Sequence, residues 1–167
     1  MIVWIIGISG SGKSTLSEVC EKKLKSLGKK VVFMDGDIIR EAFDNDLGHS
    51  VIDRLKNARR LSVFCKFLDT QGIDVVCSVL SFREETRIWN RENIKNYYEI
   101  FVDTDITECE KRDVKGIYKN FSNGLIEGVV GKDIFFETPK NPNLIVKNDG
   151  DLKLFLENSK FIIELFI

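Results

Sequence analysis

The chain has 167 residues, and because 43% are hydrophobic and 31% charged, its composition is that of a folded protein and excludes a disordered segment. This length accommodates one domain, residues 1–167, and excludes a second large one. Lys and Arg, 25 together, nearly balance the 26 Asp and Glu, so no strong positive field would attract nucleic acid.

Short apolar runs rich in β-branched residues alternate along the chain with longer segments of helical spacing. We expect strands at Ile2–Ile6, Val31–Met34, Ile73–Val79, Ile100–Val102 and Leu144–Val146. We expect helices at Lys13–Leu27, Ser50–Thr70, Arg83–Asn96, Thr107–Arg112 and Asp151–Glu164. This alternation predicts an α/β fold in which a five-stranded parallel sheet carries helices on both faces.

The segment Val114–Asn143 departs from this alternation, because it holds four glycines, both prolines and little periodicity. It is too long for an ordinary connection, and we expect a mobile lid or substrate loop. Phe135 and Phe136 lie within it and follow neither a strand nor a helix period.

The cysteines and the apolar residues indicate the cellular compartment in which the protein is expected. Cys20, Cys65, Cys77 and Cys109 show no C-x-x-C spacing, which argues against a zinc site or a disulfide scaffold and favours a reducing cytoplasm. The apolar start Met1–Ile6 lacks a basic leader, and no run reaches the roughly 18 apolar residues that span a bilayer. We therefore expect a cytoplasmic protein with no membrane partner.

A phosphate-binding motif lies between the first predicted strand and helix, where Gly7–Ser14 fits G-x-x-x-x-G-K-[ST]. Glycines let backbone N–H groups converge on phosphate oxygens, toward which the next helix directs its positive end. Lys13 would neutralise the β- and γ-phosphates of ATP, and Ser14 would bind Mg²⁺. The alternative is a glycine-rich turn. The expected ATP-binding residues are Gly7, Ser9, Gly10, Ser11, Gly12, Lys13, Ser14 and Thr15.

Two carboxylates, Asp35 and Asp37, follow the second predicted strand, with Arg40 one turn further on. In a parallel sheet such residues face the phosphate crevice, where either could hold Mg²⁺ through water or accept a proton from a hydroxyl. Alternatively, both cap a helix that starts near Ile38.

Arg54 and Asn57 share one face of the helix that begins at Ser50. Spacing alone favours a solvated basic face there. His49, the single histidine, precedes this helix, where a surface position is the default.

Several motifs, in this order, resemble the adenylylsulfate (APS) kinase family of P-loop kinases. They are Gly7–Thr15, Asp35–Arg40, Asp46–Gly48, Asp53–Asn57, Phe101–Thr104, Cys109–Lys119 and Asn141–Pro142. The resemblance implies a P-loop nucleoside-triphosphate-hydrolase fold and transfer of the γ-phosphoryl of ATP to the 3′-hydroxyl of a nucleotide that carries a 5′-anhydride.

The same resemblance implies roles for individual residues. Lys13 and Asp37 are catalytic, Asp37 as the base for the hydroxyl or as the group that positions it. Ser14 and Asp35 are the metal residues, and Arg112 joins the ATP site. The residues on the acceptor side are Asp35, Arg40, His49, Arg54, Asn57 and Val129.

Departures from the family lie on the acceptor side. His49 and Val129 replace two phenylalanines that sandwich the acceptor's adenine, and Glu127 replaces a lysine. Each lost stacking contact removes about 1 to 3 kcal/mol. The segment at Ser81–Arg83 is shortened, and whether Ser81 forms a phosphoenzyme stays open. These changes favour a smaller pyrimidine, and one branch of the family in bacterial capsule pathways phosphorylates cytidine diphosphoramidate.

The sequence therefore predicts a nucleotide 3′-kinase with cytidine diphosphoramidate as the favoured acceptor and adenylylsulfate as the alternative. An interpretation of another class is a nucleotide-binding regulatory module without turnover, which would not need Asp37 or the acceptor-side arginines. The expected cofactors are ATP and Mg²⁺, and the expected partner is a small nucleotide, with a homodimer left open.

Overall fold

The computed structural model describes residues 1–167 and contains one five-stranded parallel sheet. Its strands are β1 (Ile2–Ile6), β2 (Val31–Asp35), β3 (Asp74–Val79), β4 (Tyr97–Asp103) and β5 (Leu144–Lys147). They lie in the order β2-β3-β1-β4-β5, and every pairing is parallel. The predicted α/β sheet is confirmed.

Eight helices surround the sheet. They are α1 (Lys13–Ser26), α2 (Gly36–Ala42), α3 (Val51–Thr70), α4 (Glu84–Asn93), α5 (Ile106–Arg112), α6 (Ile117–Ser122), α7 (Leu152–Glu157) and α8 (Ser159–Glu164). None of them combines the length and the hydropathy that a membrane crossing requires.

Three features differ from the predicted elements. The short helix α6 was not predicted, and α2 begins at Gly36 rather than near Ile38, where the capping alternative placed a helix. The single helix expected over Asp151–Glu164 is divided at Asn158 into α7 and α8. Since α6 lies inside Val114–Asn143, that segment is not a loop throughout. The Asp113 carboxylate accepts hydrogen bonds from two N–H groups near the start of α6, so a side chain outside the helix stabilises a turn too short to show periodicity.

Two apolar clusters lie on opposite faces of the sheet, because successive side chains of a strand alternate between faces. Val3 and Ile5 of β1 pack in the cluster that contains α1 and α8, whereas Ile2, Trp4 and Ile6 pack in the cluster that contains part of α3. All five residues of β1 are fully buried, which explains their unbroken apolar run. The loop that follows β1 is therefore carried by the most deeply buried strand.

The strand order places a crevice at the carboxyl edge of the sheet. β2 and β3 lie on one side of β1, and β4 and β5 lie on the other. The chain passes from β1 across β3 to β2, and from β3 across β1 to β4, so the connections after the neighbouring strands β1 and β3 run in opposite directions. In open α/β sheets ligands bind at such a point.

Candidate active site

A cleft of about 1120 Å³ opens at this edge. Its wall contains most of the residues predicted from the sequence, namely Ser9, Gly10, Gly12, Lys13, Ser14, Thr15, Asp35, Asp37, Arg40, His49, Arg54, Asn57, Arg112 and Val129. Gly7 and Ser11 are not in the wall, and Ser11 is fully buried beneath the loop. Segments far apart in the sequence thus meet in one site.

At two positions of the loop from Gly7 to Gly12 the backbone has a conformation that only glycine adopts easily. Gly10 and Gly12 have φ angles of +77° and +97°. A Cβ on Gly12 would lie 2.4 Å from Asn148 Nδ2, and one on Gly10 would lie 2.9 Å from the Cys109 carbonyl oxygen. The loop is therefore packed against its surroundings in a fixed shape, and the alternative of an incidental glycine-rich turn does not account for it.

The carbonyl of Ser11 is held from below by two side chains. Asn148 Nδ2 donates to it at 2.7 Å, and Thr104 Oγ1 donates at 3.0 Å. Because a peptide unit is planar and trans, a carbonyl held on one side directs the next N–H to the other side. This arrangement turns the N–H of Gly12 toward the cleft, where phosphate oxygens would be bound.

Two further side chains hold the preceding carbonyls. The Tyr118 hydroxyl donates to Ser9 O at 2.8 Å. Arg112 donates to Gly10 O at 3.3 Å and to Asn148 O at 2.9 Å. Arg112, which the resemblance placed in the ATP site, thus lines the cleft and also supports the phosphate-binding loop.

Lys13 is the first residue of α1, and its ammonium lies 3.4 Å from the Ile8 carbonyl oxygen. Burial, with a smaller effect from the positive charge of Lys115, lowers the pKa of Lys13 from 10.5 to about 8. The ammonium has no carboxylate partner in a salt bridge, so an anion bound in the cleft would stabilise the charged form of Lys13.

Asp35 caps α2. Its Oδ1 accepts hydrogen bonds from the N–H groups of Asp37 and Ile38 at 2.9 and 2.8 Å. The capping alternative is therefore correct for Asp35, although its Oδ2 has no protein donor and remains available to a ligand. Asp37 caps nothing, so the same alternative is wrong for it.

Asp37 lies in the first turn of α2 between two cations. Its carboxylate is 2.6 Å from Lys115 Nζ and 3.3 Å from Arg40 NH1. Partial burial opposes ionisation, but the hydrogen bond and charge of Lys115, together with the charge of Arg40, hold the pKa of Asp37 below its usual range. Asp37 is thus ionised at neutral pH and can accept a hydrogen bond from a hydroxyl.

Arg40 and Asn57 are buried around the first peptide of α2. Arg40 is 8% exposed and Asn57 is 2% exposed. Both donate to the Gly36 carbonyl at 3.0 Å. The expectation of a solvated basic face is therefore wrong for Asn57, because the start of α2 packs against this side of α3.

Arg54 connects α3 to residues 114–143, the segment for which the sequence predicts a lid and which is called the lid segment below. Its Nε donates to His49 O at 2.8 Å, and its NH2 donates to Gly128 O at 3.3 Å. Burial and the charge of Arg40 lower the pKa of Arg54, and burial with both arginine charges lowers the pKa of His49. This concentration of positive charge favours an anionic ligand, and His49 is neutral at neutral pH.

The lid segment carries Val129 in a fixed turn. The Asp133 carboxylate accepts hydrogen bonds from the N–H groups of Gly128 and Val129 at 2.7 and 2.6 Å. Val129 is only 4% exposed and packs in a cluster with Phe82 and Tyr118. An aliphatic side chain thus forms part of the wall where the family has a phenylalanine.

The two phenylalanines singled out in this segment have different positions. Phe136 stacks on Phe101 of β4 with ring centres 5.9 Å apart, whereas Phe135 is 72% exposed.

Ser81 is buried and does not belong to the cleft wall. Its hydroxyl therefore does not line the cleft, and the structure gives no support to a phosphoenzyme at Ser81.

The family described as adenylylsulphate kinase matches residues 1–147, well over half of the chain. The chain belongs to the adenylylsulfate kinase family. It is therefore a phosphotransferase with an alcohol group as acceptor, as the sequence predicted.

Relatives in this family are named for two different substrates. The chain is 39% identical over 145 residues to an adenylyl-sulfate kinase of Synechococcus sp. (strain JA-3-3Ab), with 87% of this chain and 82% of that protein covered. It is also 39% identical over 150 residues to the cytidine diphosphoramidate kinase of Campylobacter jejuni, with 88% and 85% covered. The chain spans only 26% of a longer bifunctional relative. Overall identity therefore favours neither acceptor.

A solved adenylylsulfate kinase structure has the same fold. The Mycobacterium tuberculosis APS kinase CysC, in complex with AMPPNP and APS, matches with a TM-score of 0.87 and 35% identity over 98% of this chain and 95% of that one. The predicted P-loop kinase fold is confirmed. Because AMPPNP is an analogue of ATP, the likeness supports ATP binding in this member as well.

The oxygen donors beside the P-loop fit Mg²⁺, which P-loop kinases use with ATP. Mg²⁺ prefers oxygen ligands and is bound through one or two carboxylates together with substrate phosphates. Ser14, Asp35 and Ser78 line the same cleft, and the buried Ser78 Oγ has no hydrogen-bond partner. No group of three or more His, Cys, Asp or Glu residues could hold a metal ion. The ion would therefore be held jointly with the phosphates of ATP.

Several side chains of this kinase site were not predicted as site residues. Thr104 and Tyr118 lie in motifs quoted for the family resemblance, and Lys115 lies in the same motif as Tyr118. The motifs were thus the available signal, although they did not indicate which carbonyl or carboxylate each side chain contacts. Asn148 lay outside every motif, and only the fold places it under the loop.

The lowered pKa of Lys13 makes ATP binding pH-dependent. Above pH 8 the free kinase carries a neutral Lys13 that must take up a proton to bind phosphate, so ATP affinity should fall about tenfold per pH unit between pH 8.5 and 9.5. Calorimetry in two buffers of different ionisation enthalpy would measure the affinity and the proton uptake.

The control is Lys13→Arg, whose guanidinium stays charged over this range and whose ATP affinity should not change with pH. Wild-type affinity that stays constant from pH 7.5 to 9.5 without proton uptake would contradict the assignment.

Proposed function

We propose that this chain is a cytidine diphosphoramidate kinase, which transfers the γ-phosphoryl of ATP to the 3′-hydroxyl of that nucleotide and so serves bacterial capsule modification. The observation that carries the proposal is one cleft with two halves. A phosphate-binding loop with Lys13 forms one half, a pair of arginines forms the other, and the ionised Asp37 lies in the wall that both share.

The donor half positions ATP for transfer. The N–H groups of Gly10 and Gly12, the start of α1 and the Lys13 ammonium surround the β- and γ-phosphates. Bound Mg²⁺ supplies neutralisation of the charge that develops on the phosphate oxygens. Ser14 and Asp35 would hold it. Most of the rate enhancement then comes from position and electrostatics rather than from a covalent intermediate.

The transfer step is assigned to Asp37. The acceptor's 3′-oxygen forms a bond to the γ-phosphorus while the bond from that phosphorus to the β,γ-bridging oxygen breaks, and the 3′-hydroxyl proton passes to the Asp37 carboxylate. Lys115 and Arg40 fix the orientation of this carboxylate. Because Lys115 precedes α6, it also ties the base to the lid segment.

The acceptor half suits a nucleotide that bears a 5′-anhydride. Arg40 and Arg54 supply two guanidinium groups, which pair well with phosphate oxygens. Asn57 lies beside them with its Oδ1 buried and unpartnered, so a hydrogen-bond donor on the ligand could satisfy it. A phosphoramidate offers such a donor in its N–H groups, and a sulfate does not.

The base pocket supports a pyrimidine. Val129 is held in a buried turn and presents an aliphatic surface instead of an aromatic ring. His49 lies at the other position of the family's aromatic pair and is neutral near pH 7, so it can donate one hydrogen bond and accept another. A small polar base such as cytosine is suited to this combination.

We expect the kcat/KM for cytidine diphosphoramidate to exceed that for adenylylsulfate at least about tenfold, a difference of only about 1.4 kcal/mol in transition-state binding. A coupled assay of ADP release with both acceptors would measure the ratio. If adenylylsulfate is turned over equally well or better, the protein is an adenylylsulfate kinase with an unusual pocket.

A matched pair of variants tests whether the two positions set the ratio. His49 is exposed, so His49→Phe should fold and shift the ratio toward adenylylsulfate, and the double variant with Val129→Phe should shift it further. Because Val129 is buried, the added ring can cost about 1 to 3 kcal/mol through overpacking, and thermal unfolding must accompany the kinetics. A folded double variant with an unchanged ratio would remove these positions from the base pocket.

Adenylylsulfate kinase is the second candidate. The chain is as similar to the Synechococcus enzyme as to the cytidine diphosphoramidate kinase, and it shares the fold of the complex that contains APS. A regulatory module without turnover is disfavoured by the ionised Asp37 beside Lys115 and Arg40. ADP release that depends on added acceptor would distinguish a kinase from such a module.

A homodimer and a cytoplasmic location belong to the same proposal. All four cysteines are free and buried, which suits a reducing compartment. Val63, Phe64 and Phe67 of α3 are exposed, and they form an apolar surface that a second copy could cover.

A further inference from the structure

Ser78 is a buried hydroxyl group at the edge of the cleft with no partner in the protein. Its residue is only 3% exposed, it belongs to the cleft wall, and its Oγ makes no hydrogen bond. A buried hydroxyl without a partner costs free energy comparable to a lost hydrogen bond, so native proteins seldom keep one unless a ligand or water satisfies it.

The sheet places this hydroxyl beside Asp35, on the face that α1 covers. In the parallel register Ser78 of β3 lies beside Ile5 of β1 on one side and Asp35 of β2 on the other. Because side chains alternate along a strand, Ser78 shares the face of Val76, which packs with α1. Since α1 begins at Lys13 and Ser14, the Ser78 hydroxyl is on the same side of the sheet as the P-loop serine.

The strand that carries Ser78 lacks a carboxylate where many P-loop proteins have one. In those proteins an acid on a neighbouring strand helps the P-loop Ser or Thr to hold Mg²⁺. In this chain the only acid of β3 is Asp74, at the opposite end of the strand. The carboxylate beside Ser78 at the carboxyl edge is that of Asp35 on β2, one strand further from the P-loop, and one of its two oxygens is used to cap α2.

We propose that the Ser78 hydroxyl binds a water molecule of the Mg²⁺ hydration shell when MgATP is bound, between the inner ligand Ser14 and the carboxylate of Asp35. Mg²⁺ dehydrates reluctantly and keeps several waters, which need hydrogen-bond acceptors and donors around them. A neutral hydroxyl one strand from the P-loop meets this need without adding negative charge beside the phosphates. The inference rests on MgATP as the donor and is independent of the acceptor.

Ser62 offers a matched control within the same chain. It is also fully buried, but its Oγ donates to the Ala58 carbonyl within α3 at 3.0 Å, and it is not part of the cleft wall. Ser78→Ala and Ser62→Ala therefore delete the same group from two equally buried positions, of which only one faces the site.

The experiment measures Mn²⁺ binding by electron paramagnetic resonance, with the full chain saturated by β,γ-imido-ATP. Ser78→Ala should weaken Mn²⁺ binding to this complex at least about threefold, as the loss of one hydrogen bond predicts. Affinity for the analogue in EDTA should stay within about twofold, and Ser62→Ala should change neither value. Without ligand, Ser78→Ala should unfold at the same or a higher temperature, since it removes an unsatisfied hydroxyl, whereas Ser62→Ala should unfold at a lower one.

Two results would overturn the role of Ser78. One is Mn²⁺ binding to the Ser78→Ala complex that is weakened less than threefold. The other is that Ser78→Ala weakens nucleotide binding as much without metal as with metal, which would mean that the hydroxyl contacts phosphate. If the wild-type complex itself bound no Mn²⁺, both the proposed metal cofactor and this inference would be wrong. If the wild-type complex bound Mn²⁺ and Ser78→Ala bound it equally well, only the inference would be wrong, so the two failures are distinguishable.

Discussion

Lys13→Ala should abolish phosphoryl transfer, with kcat/KM reduced by at least about 10³-fold. Lys13 is the positive side chain at the start of α1 in the cleft, and its ammonium makes no salt bridge within the protein. Its charge is therefore free to act on the phosphates of ATP. Steady-state ADP release with saturating acceptor would measure the loss.

The fold should tolerate this change. Burial disfavours the ammonium, and its one hydrogen bond, to Ile8 O, is long at 3.4 Å. We therefore expect the unfolding temperature of Lys13→Ala at pH 7 to equal or exceed that of the wild type. Lys22→Ala is the control, since Lys22 is an exposed lysine on the same helix. Turnover close to wild type by folded Lys13→Ala would eliminate the P-loop assignment.

Local signals in the sequence were sufficient to predict the phosphate-binding loop, although not the distant side chains that support it. β1 is buried on both faces, so its apolar run is unbroken. The loop after it has the spacing of glycines, lysine and serine that is typical of a phosphate-binding loop. The helix α3 was also predicted within one residue, because Ser50 caps it through the N–H of Asp53. Where structure follows from neighbouring residues, the prediction was correct.

The acceptor half depends on contacts between distant residues. Asn57 is buried because its side chain bonds to Gly36, 21 residues earlier, and Asp37 is paired with Lys115, 78 residues later. Asn148 supports the P-loop from 137 residues away. Such contacts leave no periodicity in the sequence. The position after a strand and the family resemblance pointed to Asp37, and spacing and the resemblance pointed to Asn57, but neither gave the partners, and no signal pointed to Asn148.

The position of α2 explains why the roles of Asp35 and Asp37 could not be distinguished from the sequence. Asp35 and Asp37 both precede or begin α2, and either could have capped it by sequence. In the structure only Asp35 accepts the two N–H groups, which leaves Asp37 free to face Lys115 and Arg40. The division of roles thus depends on backbone geometry at the end of β2.

Asp37→Asn should lower kcat by about 10²-fold or more while ATP affinity stays within about threefold. Asparagine keeps the size of the side chain but cannot take the proton of the 3′-hydroxyl. The carboxylate makes no hydrogen bond to the phosphate-binding loop and is paired with Lys115 and Arg40 instead, so its loss should largely spare ATP binding. Single-turnover transfer and calorimetric titration of ATP would separate the two effects.

The matched control for this substitution is Asp44→Asn, an exposed residue just past α2 that is outside the cleft wall. Its φ of +54° suits asparagine, so the control should fold and keep wild-type kcat. Because the charges of Lys115 and Arg40 lower the pKa of Asp37, the wild-type base stays ionised through the neutral range, and its kcat should not fall until the pH is below the usual carboxylate range. If Asp37→Asn instead raised only the KM for ATP with kcat unchanged, Asp37 would be a binding residue, and the proton of the 3′-hydroxyl would require another acceptor.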